Sequence, residues 1–260
     1  MVDREQKYSL SFTSIGARRL ETIEVARAYV DCSDWAEVRC RIVKDDIISL
    51  NKESTRKRVG GEIIKRLRML DADEVAFLAD AVDDDQFAMT WVAICRAYPV
   101  LHSFSADVVA ARFAKMVPDV PRTAWAAFVD EESIDHPELV RLTDKSRKQL
   151  EIRAFGMLRE CHLLDDAHNI TPLYPSARFA ALVRKHAPWD IELFPKVVFC
   201  CDQEIRTYRI ARSALLHCGA PFRRYPAWPQ GFYHAAIDLC FAIPTGAKIL
   251  RSGPCGSHLR

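Results

Sequence analysis

Apolar residues recur at intervals of three and four along most of the chain up to about residue 195, a spacing that is typical of amphipathic α-helices. The strongest stripe consists of Phe87, Trp91, Ile94, Cys95 and Tyr98, and we expect it in the core. The alternation of apolar and polar residues that marks β-strands is nearly missing. The pattern therefore predicts a mainly α fold.

Start and stop signals divide this pattern into separate helices. They are predicted over residues 14–31, 34–42, 51–70, 71–82, 87–98, 103 or 105 to 116, 121–129, 137–142, 143 or 144 to 161, and 176–186. Periodicity places four further side chains inward at or near helix ends: Leu20, Val30, Val82 and Met116.

A break with prolines at residues 118 and 121 separates two groups of helices. We therefore predict a two-lobed protein, with an N-terminal helical bundle over residues 8–118 and a C-terminal helical lobe over residues 119–195. After Pro195, prolines and paired cysteines replace the helical spacing. Residues 196–260 are predicted to be an irregular, basic tail.

The C-terminal lobe contains a stretch, residues 142–175, that combines helix signals with basic charge. Thr143 or Asp144 can cap a helix whose inward stripe runs from Leu150 to Cys161, by way of Ala154, Met157 and Leu158. Its outward side carries Lys145, Lys148, Gln149 and Ile152, with Arg153 beside them.

A short helix with Pro137 in its first turn precedes this basic helix, and a turn at residues 165–168 and an extended segment at 169–173 follow it. This order is the outline of a winged helix-turn-helix, in which the second helix enters the DNA major groove. The alternative is an amphipathic helix packed on the domain, with its Lys and Arg side chains simply solvated.

A second basic stretch covers residues 51–70, where seven basic residues stand against two acidic ones for a local net charge of +5. Ser54 or Thr55 is predicted to cap this helix, and its apolar residues Val59, Ile63, Leu67 and Leu70 to face inward. Such a density of cations can hold phosphate groups. A solvated basic face paired with the acidic run that follows explains the same charges.

The glycine pair at residues 60–61 is unfavourable inside a helix, so it predicts a kink or a close approach of another backbone.

The formal net charge of the whole chain is only +2 at pH 7. Residues 203–260 carry eight basic residues against two acidic ones, which is +6 and leaves about −4 for the rest of the chain. A site for a polyanion must therefore be a local patch.

No apolar run is long enough to span a membrane, and the first residues, MVDREQKYSLSF, lack the apolar region of a secretory signal. We expect a cytoplasmic protein without membrane contact.

Motifs of catalysis are missing from the sequence, which contains no GxSxG, P-loop, HExxH or strand-linked GxGxxG. The nine cysteines include no CxxC pair, so we expect reduced, mostly buried thiols and no structural metal. Adjacent carboxylates at residues 83–85 point in different directions on a turn, and we interpret them as helix capping and solvation. We therefore expect no catalytic residues, no cofactor, no metal and no small-molecule substrate.

Several segments resemble the BrxA family, the small helical proteins of BREX phage-defence systems. The segments are 11–16 (SFTSIG), the Trp35 helix with 47–51 (IISLN), 54–58 (STRKR) with 66–67 (RL), 146–150 (SRKQL) and 157–164 (MLRECHLL). The resemblance covers about residues 8–195, and the tail after Pro195 does not match the family's pattern.

The resemblance implies a two-lobed helical fold that is similar in part to the NusB antitermination protein. It also implies a protein that binds double-stranded DNA, has no catalytic activity and acts beside the other BREX proteins. By position it implies that the basic residues of the two helices contact the DNA. The predicted DNA-binding residues are Thr55, Arg56, Lys57, Arg58, Lys65, Arg66, Lys145, Arg147, Lys148, Gln149 and Arg153. A protein-interaction adaptor within the defence complex and a NusB-like RNA-binding protein are the alternative functions.

Overall fold

The structure, a computed structural model, describes residues 8–195, and the predicted tail lies outside these residues. The fold is mainly α, as predicted, and the described residues lie in one compact unit. Its α-helices are α1 Arg19–Cys32, α2 Trp35–Lys44, α3 Glu53–Leu67, α4 Ala72–Asp80, α5 Asp83–Ala97, α6 Pro99–Ser103, α7 Ala111–Ala114, α8 Arg122–Glu132, α9 Pro137–Val140, α10 Asp144–Glu160 and α11 Ala177–His186. Short 3₁₀-helices span Ser11–Ser14 and Pro188–Leu193.

Helix α5 forms the centre of the described fold, as its apolar stripe predicts. Trp91, Ile94, Cys95 and Tyr98 are buried, while Phe87 at its start is half-buried and stacks on His162. Helices α1, α3, α4 and α6 pack around α5. Burial of this continuous apolar face is the main favourable contribution to folding.

An aromatic cluster joins the helices on the two sides of the break at residues 118–121. The ring of Phe104 lies 4.8 Å from Trp125, 5.3 Å from Phe128 and 6.2 Å from Phe155, measured between ring centroids. These side chains come from α8, α10 and the π-helix Phe104–Ala110 that links α6 to α7. The predicted break is present as a non-helical connection, and the helices on either side of it share this core.

A buried ionic network ties α4 and α5 to the 3₁₀-helix at Pro188–Leu193. The guanidinium of Arg96 binds both carboxylate oxygens of Glu74, at 2.6 and 2.7 Å, and its Nε donates to Asp190 at 2.7 Å. His102 lies 3.2 Å from the other oxygen of Asp190. Burial alone would lower the pKa of Arg96, but the charges of Asp190 and Glu74 raise it, so the guanidinium stays charged.

The glycine pair on α3 allows a close approach at one of its two positions, and the neighbour there is a side chain rather than the backbone that the sequence predicted. A Cβ added at Gly60 would lie 2.6 Å from the Cγ2 atom of Ile42 on α2, whereas a Cβ at Gly61 meets nothing within 4 Å. Gly60 therefore allows α2 and α3 to pack closely, and Gly61 has no such role.

Four side chains predicted to be inward are exposed instead: Leu20, Val30, Val82 and Met116. Leu20 and Val30 lie near the two ends of α1, Val82 precedes α5, and Met116 follows α7. Helical periodicity holds only while the chain stays helical and covered by a neighbour, so it misplaces residues at helix ends.

Two predictions about helix starts are also wrong. Helix α3 begins at Glu53, with Lys52 at its N-cap and no side-chain cap, so neither Ser54 nor Thr55 caps it. The helix predicted from Ser103 or Ser105 instead continues from α6, through the π-helix, into α7. Pro99 starts this run because a proline in the first turn of a helix loses no hydrogen bond.

Candidate nucleic-acid interface

Helix α10 has the start and the buried face that its sequence predicts. The Thr143 hydroxyl caps the helix by accepting from the Ser146 N–H at 3.2 Å. Its stripe is buried throughout: Leu150, Ala154, Met157, Leu158 and Cys161. Burial raises the pKa of the Cys161 thiol, which is therefore a neutral core group.

The segment after α10 does not form a strand in the part of the chain that the structure describes. Residues 169 and 170 form two isolated bridges, Asp119 with Asn169 and Leu164 with Ile170. Helix α9, with four residues, and α10 are separated by residues 141–143. The interpretation of this pair as a helix-turn-helix stays a prediction.

Two of the predicted DNA contacts on α10 pair with carboxylates. Arg147 lies 2.7 Å from Asp130, and Lys148 lies 2.8 Å from Glu151. Glu151 also binds Arg122 at 2.9 Å. Burial would raise the pKa of Glu151, but the hydrogen bonds from these two cations lower it, so its carboxylate is charged. The basic charge around Arg147 and Lys148 is therefore partly neutralised.

The start of α3 contributes less accessible charge than its sequence suggests. Arg56 donates from Nε to the Val43 carbonyl at 3.2 Å and from Nη1 to the Leu50 carbonyl at 2.8 Å. These bonds hold the connection between α2 and α3. Thr55 is half-buried, and Lys57 is exposed but forms a 2.6 Å ion pair with Glu53.

Arg66 cannot contact DNA in this structure, so its prediction as a DNA-binding residue is wrong. Its side chain is 1% exposed, and its Nη1 donates to the carbonyls of Gly16 at 2.8 Å and Ala17 at 3.2 Å. Burial lowers the pKa of Arg66 to about 10, against the opposing effect of Glu62. Arg66 comes directly before Leu67, a buried residue of α3, and the N-terminal segment covers the Arg66 side chain.

That segment, Tyr8–Arg18, connects the two basic helices, and we call it the N-terminal strap. At its start, the Tyr8 hydroxyl donates to Glu132 at 2.6 Å, and the Tyr8 ring stacks on His136. At its end, the N–H groups of Ala17 and Arg18 donate to Glu160 at the end of α10. The strap therefore runs from the α8–α9 region to the C-terminal end of α10.

Two cations of α3, the exposed Arg58 and the half-buried Lys65, reach the same strap. Arg58 donates from Nη1 to the Ser14 carbonyl at 2.6 Å. The Lys65 ammonium lies 3.2 Å from the Ser9 hydroxyl and 2.9 Å from that of Ser11. The strap thus has α3 cations along one side.

On α10, a stripe at spacings of four and seven residues leads to the residue that binds the strap. The stripe contains Lys145, Gln149, Arg153 and Glu160. Lys145 and Gln149 are exposed, and Arg153 is half-buried and close enough to Arg66 for its charge to lower the pKa of Arg66. We define the composite basic face as the strap together with Arg58, Lys65, Lys145, Gln149 and Arg153.

Sequence reasoning missed the strap and its partners. Ser11–Gly16 and Glu160 entered only as part of the family resemblance, and Tyr8 gave no signal. The one residue in the sequence that could have indicated a close contact of the strap is Gly16. In the structure, a Cβ at this position would lie 2.6 Å from the Oε2 atom of Glu160.

Among the described residues, no group of three or more His, Cys, Asp or Glu side chains is placed to hold a metal ion. None of the helices in that part of the chain is both long and apolar enough to cross a membrane. What the composite basic face offers chemically is charge and hydrogen-bond donors rather than a reactive group.

These features define a helical protein in which exposed and half-buried basic side chains of two helices accompany an N-terminal strap. The BrxA family profile matches residues 6–187, so the chain belongs to the BrxA family. BREX protein BrxA of Escherichia coli O9:H4 (strain HS) is 24% identical over 163 residues, covering 62% of this chain and 75% of that protein.

A solved structure extends the comparison to the fold. An uncharacterized protein from Magnetospirillum magneticum aligns with a TM-score of 0.63 at 16% sequence identity, over 72% of this chain and 97% of that chain. At this identity the likeness concerns the fold alone. The family resemblance expected from the sequence is confirmed, and the similarity to NusB stays a prediction.

Proposed function

We propose that this chain is a non-catalytic component of a BREX phage-defence system that binds double-stranded DNA through the composite basic face. Membership of the BrxA family supports the place in phage defence. The observation that carries DNA binding is that Arg58 and Lys65 of α3 bind the strap, which Glu160 of α10 also binds. Arg153 of α10 lies close enough to the buried Arg66 to lower its pKa. A surface that is locally basic in a chain of net charge +2 suits a polyanionic partner.

Most of the affinity would come from phosphate contacts by Arg58, Lys65, Lys145 and Arg153, because Lys and Arg release counterions when they meet phosphates. Gln149 is exposed on the same stripe and has the amide group that can pair with adenine. Base preference would therefore be weak and would depend on Gln149 or on a second contact by Arg153.

The test is a variant in which Arg58, Lys145 and Arg153 are all changed to Gln. Binding to a duplex would be followed by fluorescence anisotropy at several salt concentrations. Each lost phosphate contact reduces the salt slope by about 0.9, so we expect the slope of log K against log salt to fall by about 2.7 and the affinity to fall at least about tenfold. Arg56 and Arg66 are left unchanged because they hold the fold together.

A matched control changes three exposed cations outside the composite basic face, Arg39, Lys44 and Lys115, to Gln. This control removes the same net charge and should keep most of the affinity. Equal losses in both triple variants would mean that binding depends only on net charge. A wild-type protein that does not bind duplex DNA would refute the proposal, and parallel titrations with duplex RNA and single strands would identify an RNA-binding protein instead.

A second candidate function, an adaptor that holds other BREX proteins, has its own observation. Ile134 and Val140 are 81% and 61% exposed around the α8–α9 turn, beside the exposed carboxylates of Glu131 and Asp135. Exposed apolar residues within a polar rim are typical of protein interfaces. Changing Ile134 and Val140 to Ser should weaken capture of another BREX protein in a pull-down while leaving DNA binding unchanged.

A further inference from the structure

The strap is held by charged groups on both of its sides. Its carbonyl oxygens accept from α3: Ser14 from Arg58, and Gly16 and Ala17 from Arg66. Its N–H groups donate toward α10, since the Glu160 Oε2 atom accepts from Ala17 at 2.7 Å and from Arg18 at 3.2 Å. Hydrogen bonds to charged groups are the stronger ones in proteins, so the strap has a defined position.

Gly16 leaves room for the Glu160 carboxylate where α10 meets the strap. An added Cβ would lie 2.6 Å from Oε2 and 2.9 Å from Cδ of Glu160, which is closer than real Cβ contacts. Either the Glu160 carboxylate or the strap would have to move, and both changes weaken the bonds to Ala17 and Arg18. The position of the Glu160 carboxylate against the strap therefore depends on the absence of a side chain at residue 16.

The strap in turn holds two cations of the composite basic face. The Lys65 ammonium is fixed by Ser9 and Ser11, by Glu62 at 3.6 Å, and by the Tyr98 ring, whose centroid is 4.6 Å away. Arg58 uses one of its five N–H donors on the Ser14 carbonyl, which leaves the other donors for a phosphate. Long side chains that are already ordered lose less conformational entropy when they bind.

We propose that the strap positions Arg58 and Lys65 for the phosphate backbone of DNA, and that Gly16 and Glu160 are the residues that fix the strap. This inference rests on the proposed DNA binding. It makes Gly16 and Glu160 positioning residues, which act on affinity without touching the nucleic acid.

The test compares Gly16→Ala with Gly156→Ala in the full-length chain. Gly156 lies on α10 and has nothing within 4 Å of an added Cβ, so it is the matched control. We expect Gly16→Ala to lower duplex affinity about tenfold and to reduce the salt slope by about 1.8, the value for two phosphate contacts. Gly156→Ala should bind like the wild type.

A double-mutant cycle separates positioning from general loosening of the fold. In a background with Arg58→Gln and Lys65→Gln, Gly16→Ala should have no further effect on affinity, because the residues through which it acts are gone. Hydrogen exchange of the strap should also rise in Gly16→Ala and stay unchanged in Gly156→Ala. A further loss of affinity in the double background would overturn the proposed route.

Glu160→Asp provides a second way to release the strap if Gly16→Ala does not fold. It keeps the negative charge but shortens the side chain by one methylene, so the carboxylate no longer reaches the Ala17 N–H. We expect the same direction of change in affinity, salt slope and hydrogen exchange. Wild-type affinity in both strap variants, with faster strap exchange, would overturn this inference alone, whereas failure of the wild type to bind DNA would overturn the proposed function and this inference together.

Discussion

Replacement of Arg96 by Met tests the buried ionic network at the centre of the fold. Arg96 is the cation between Glu74 and Asp190, whose side chains are both 0% exposed. Its removal leaves two carboxylates in a buried site, where a charge without a partner is strongly unfavourable. Glu74 retains the Asp71 N–H and Asp190 retains His102, so each keeps one partner.

The size of the effect follows from proton uptake. Removing one partner of a buried ion pair costs about 3 to 5 kcal/mol. A carboxylate can avoid that cost by binding a proton, which for an ordinary pKa near 4 costs about 4 kcal/mol at pH 7. We therefore expect Arg96→Met to lower the free energy of unfolding by about 4 kcal/mol, and the melting temperature by roughly 10 °C.

The sign of the pH dependence distinguishes this mechanism from simple loss of packing. In the variant, the folded state binds a proton that the unfolded state does not bind between pH 5 and 7, so stability falls as pH rises. At about 1.36 kcal/mol per pH unit, the loss relative to wild type should shrink by about 2.7 kcal/mol between pH 7 and pH 5. Urea unfolding followed by circular dichroism at both pH values measures this difference.

The matched control for Arg96→Met also neutralises its partners, as Glu74→Gln and Asp190→Asn. This triple variant has no uncompensated buried charge and should regain most of the stability. The reasoning is refuted if Arg96→Met loses less than about 1 kcal/mol at pH 7, since the expected cost of an unpaired buried carboxylate is several times larger. The reasoning is also refuted if Arg96→Met loses the same free energy of unfolding at pH 5 and pH 7, or if the triple variant is no more stable than Arg96→Met.

Other perturbations follow from single contacts. Gly60→Ala should destabilise the fold by about 1 to 3 kcal/mol in urea unfolding, because the new Cβ meets Ile42 on α2; Gly61→Ala, one residue away and in open space, should instead stabilise it by about 0.5 to 1 kcal/mol. Hydrogen bonds from Lys185 and His186 lower the pKa of Asp73 to about 2. The charged Asp73 therefore stabilises the folded state above the ordinary carboxyl pKa near 4, and this contribution is lost as pH falls from about 4 to 2. Asp73→Asn should therefore lower the free energy of unfolding by about 0.5 to 1 kcal/mol at pH 6, a small value because solvent screens the ion pair. At pH 2 the variant and the wild type should be almost equally stable, and the same difference at both pH values would contradict this.

Local signals in the sequence determined the helical class, most of the helices and the buried faces of α3, α5 and α10. The Thr143 cap and the first-turn proline of α9 form as predicted, because capping involves only neighbouring residues. The glycine pair indicated a close approach at α3, although the neighbour of Gly60 is the Ile42 side chain rather than the backbone that the sequence predicted. The cap and the proline are predictable since their physical causes lie within one or two helical turns, whereas the neighbour of Gly60 lies on another helix.

Tertiary structure decided which cations remain at the surface. Arg56, Arg58 and Arg66 lie within eleven residues of one another on α3, and the sequence offers no distinction among them. In the fold, Arg56 holds the α2–α3 connection, Arg66 is buried under the strap, and Arg58 is exposed at its edge. The environments of the three arginines depend on hydrogen-bond partners that lie between 6 and 50 positions away in the sequence. Helical periodicity carries no information about most of these partners.

The strap shows the same limit for the candidate interface. Its contact with Glu160 joins residues separated by 143 positions, and neither end has a motif that predicts the other. The sequence alone therefore specified two basic helices, because amphipathic spacing and capping are local properties. Only packing in three dimensions brought those helices to one strap and selected the cations beside it.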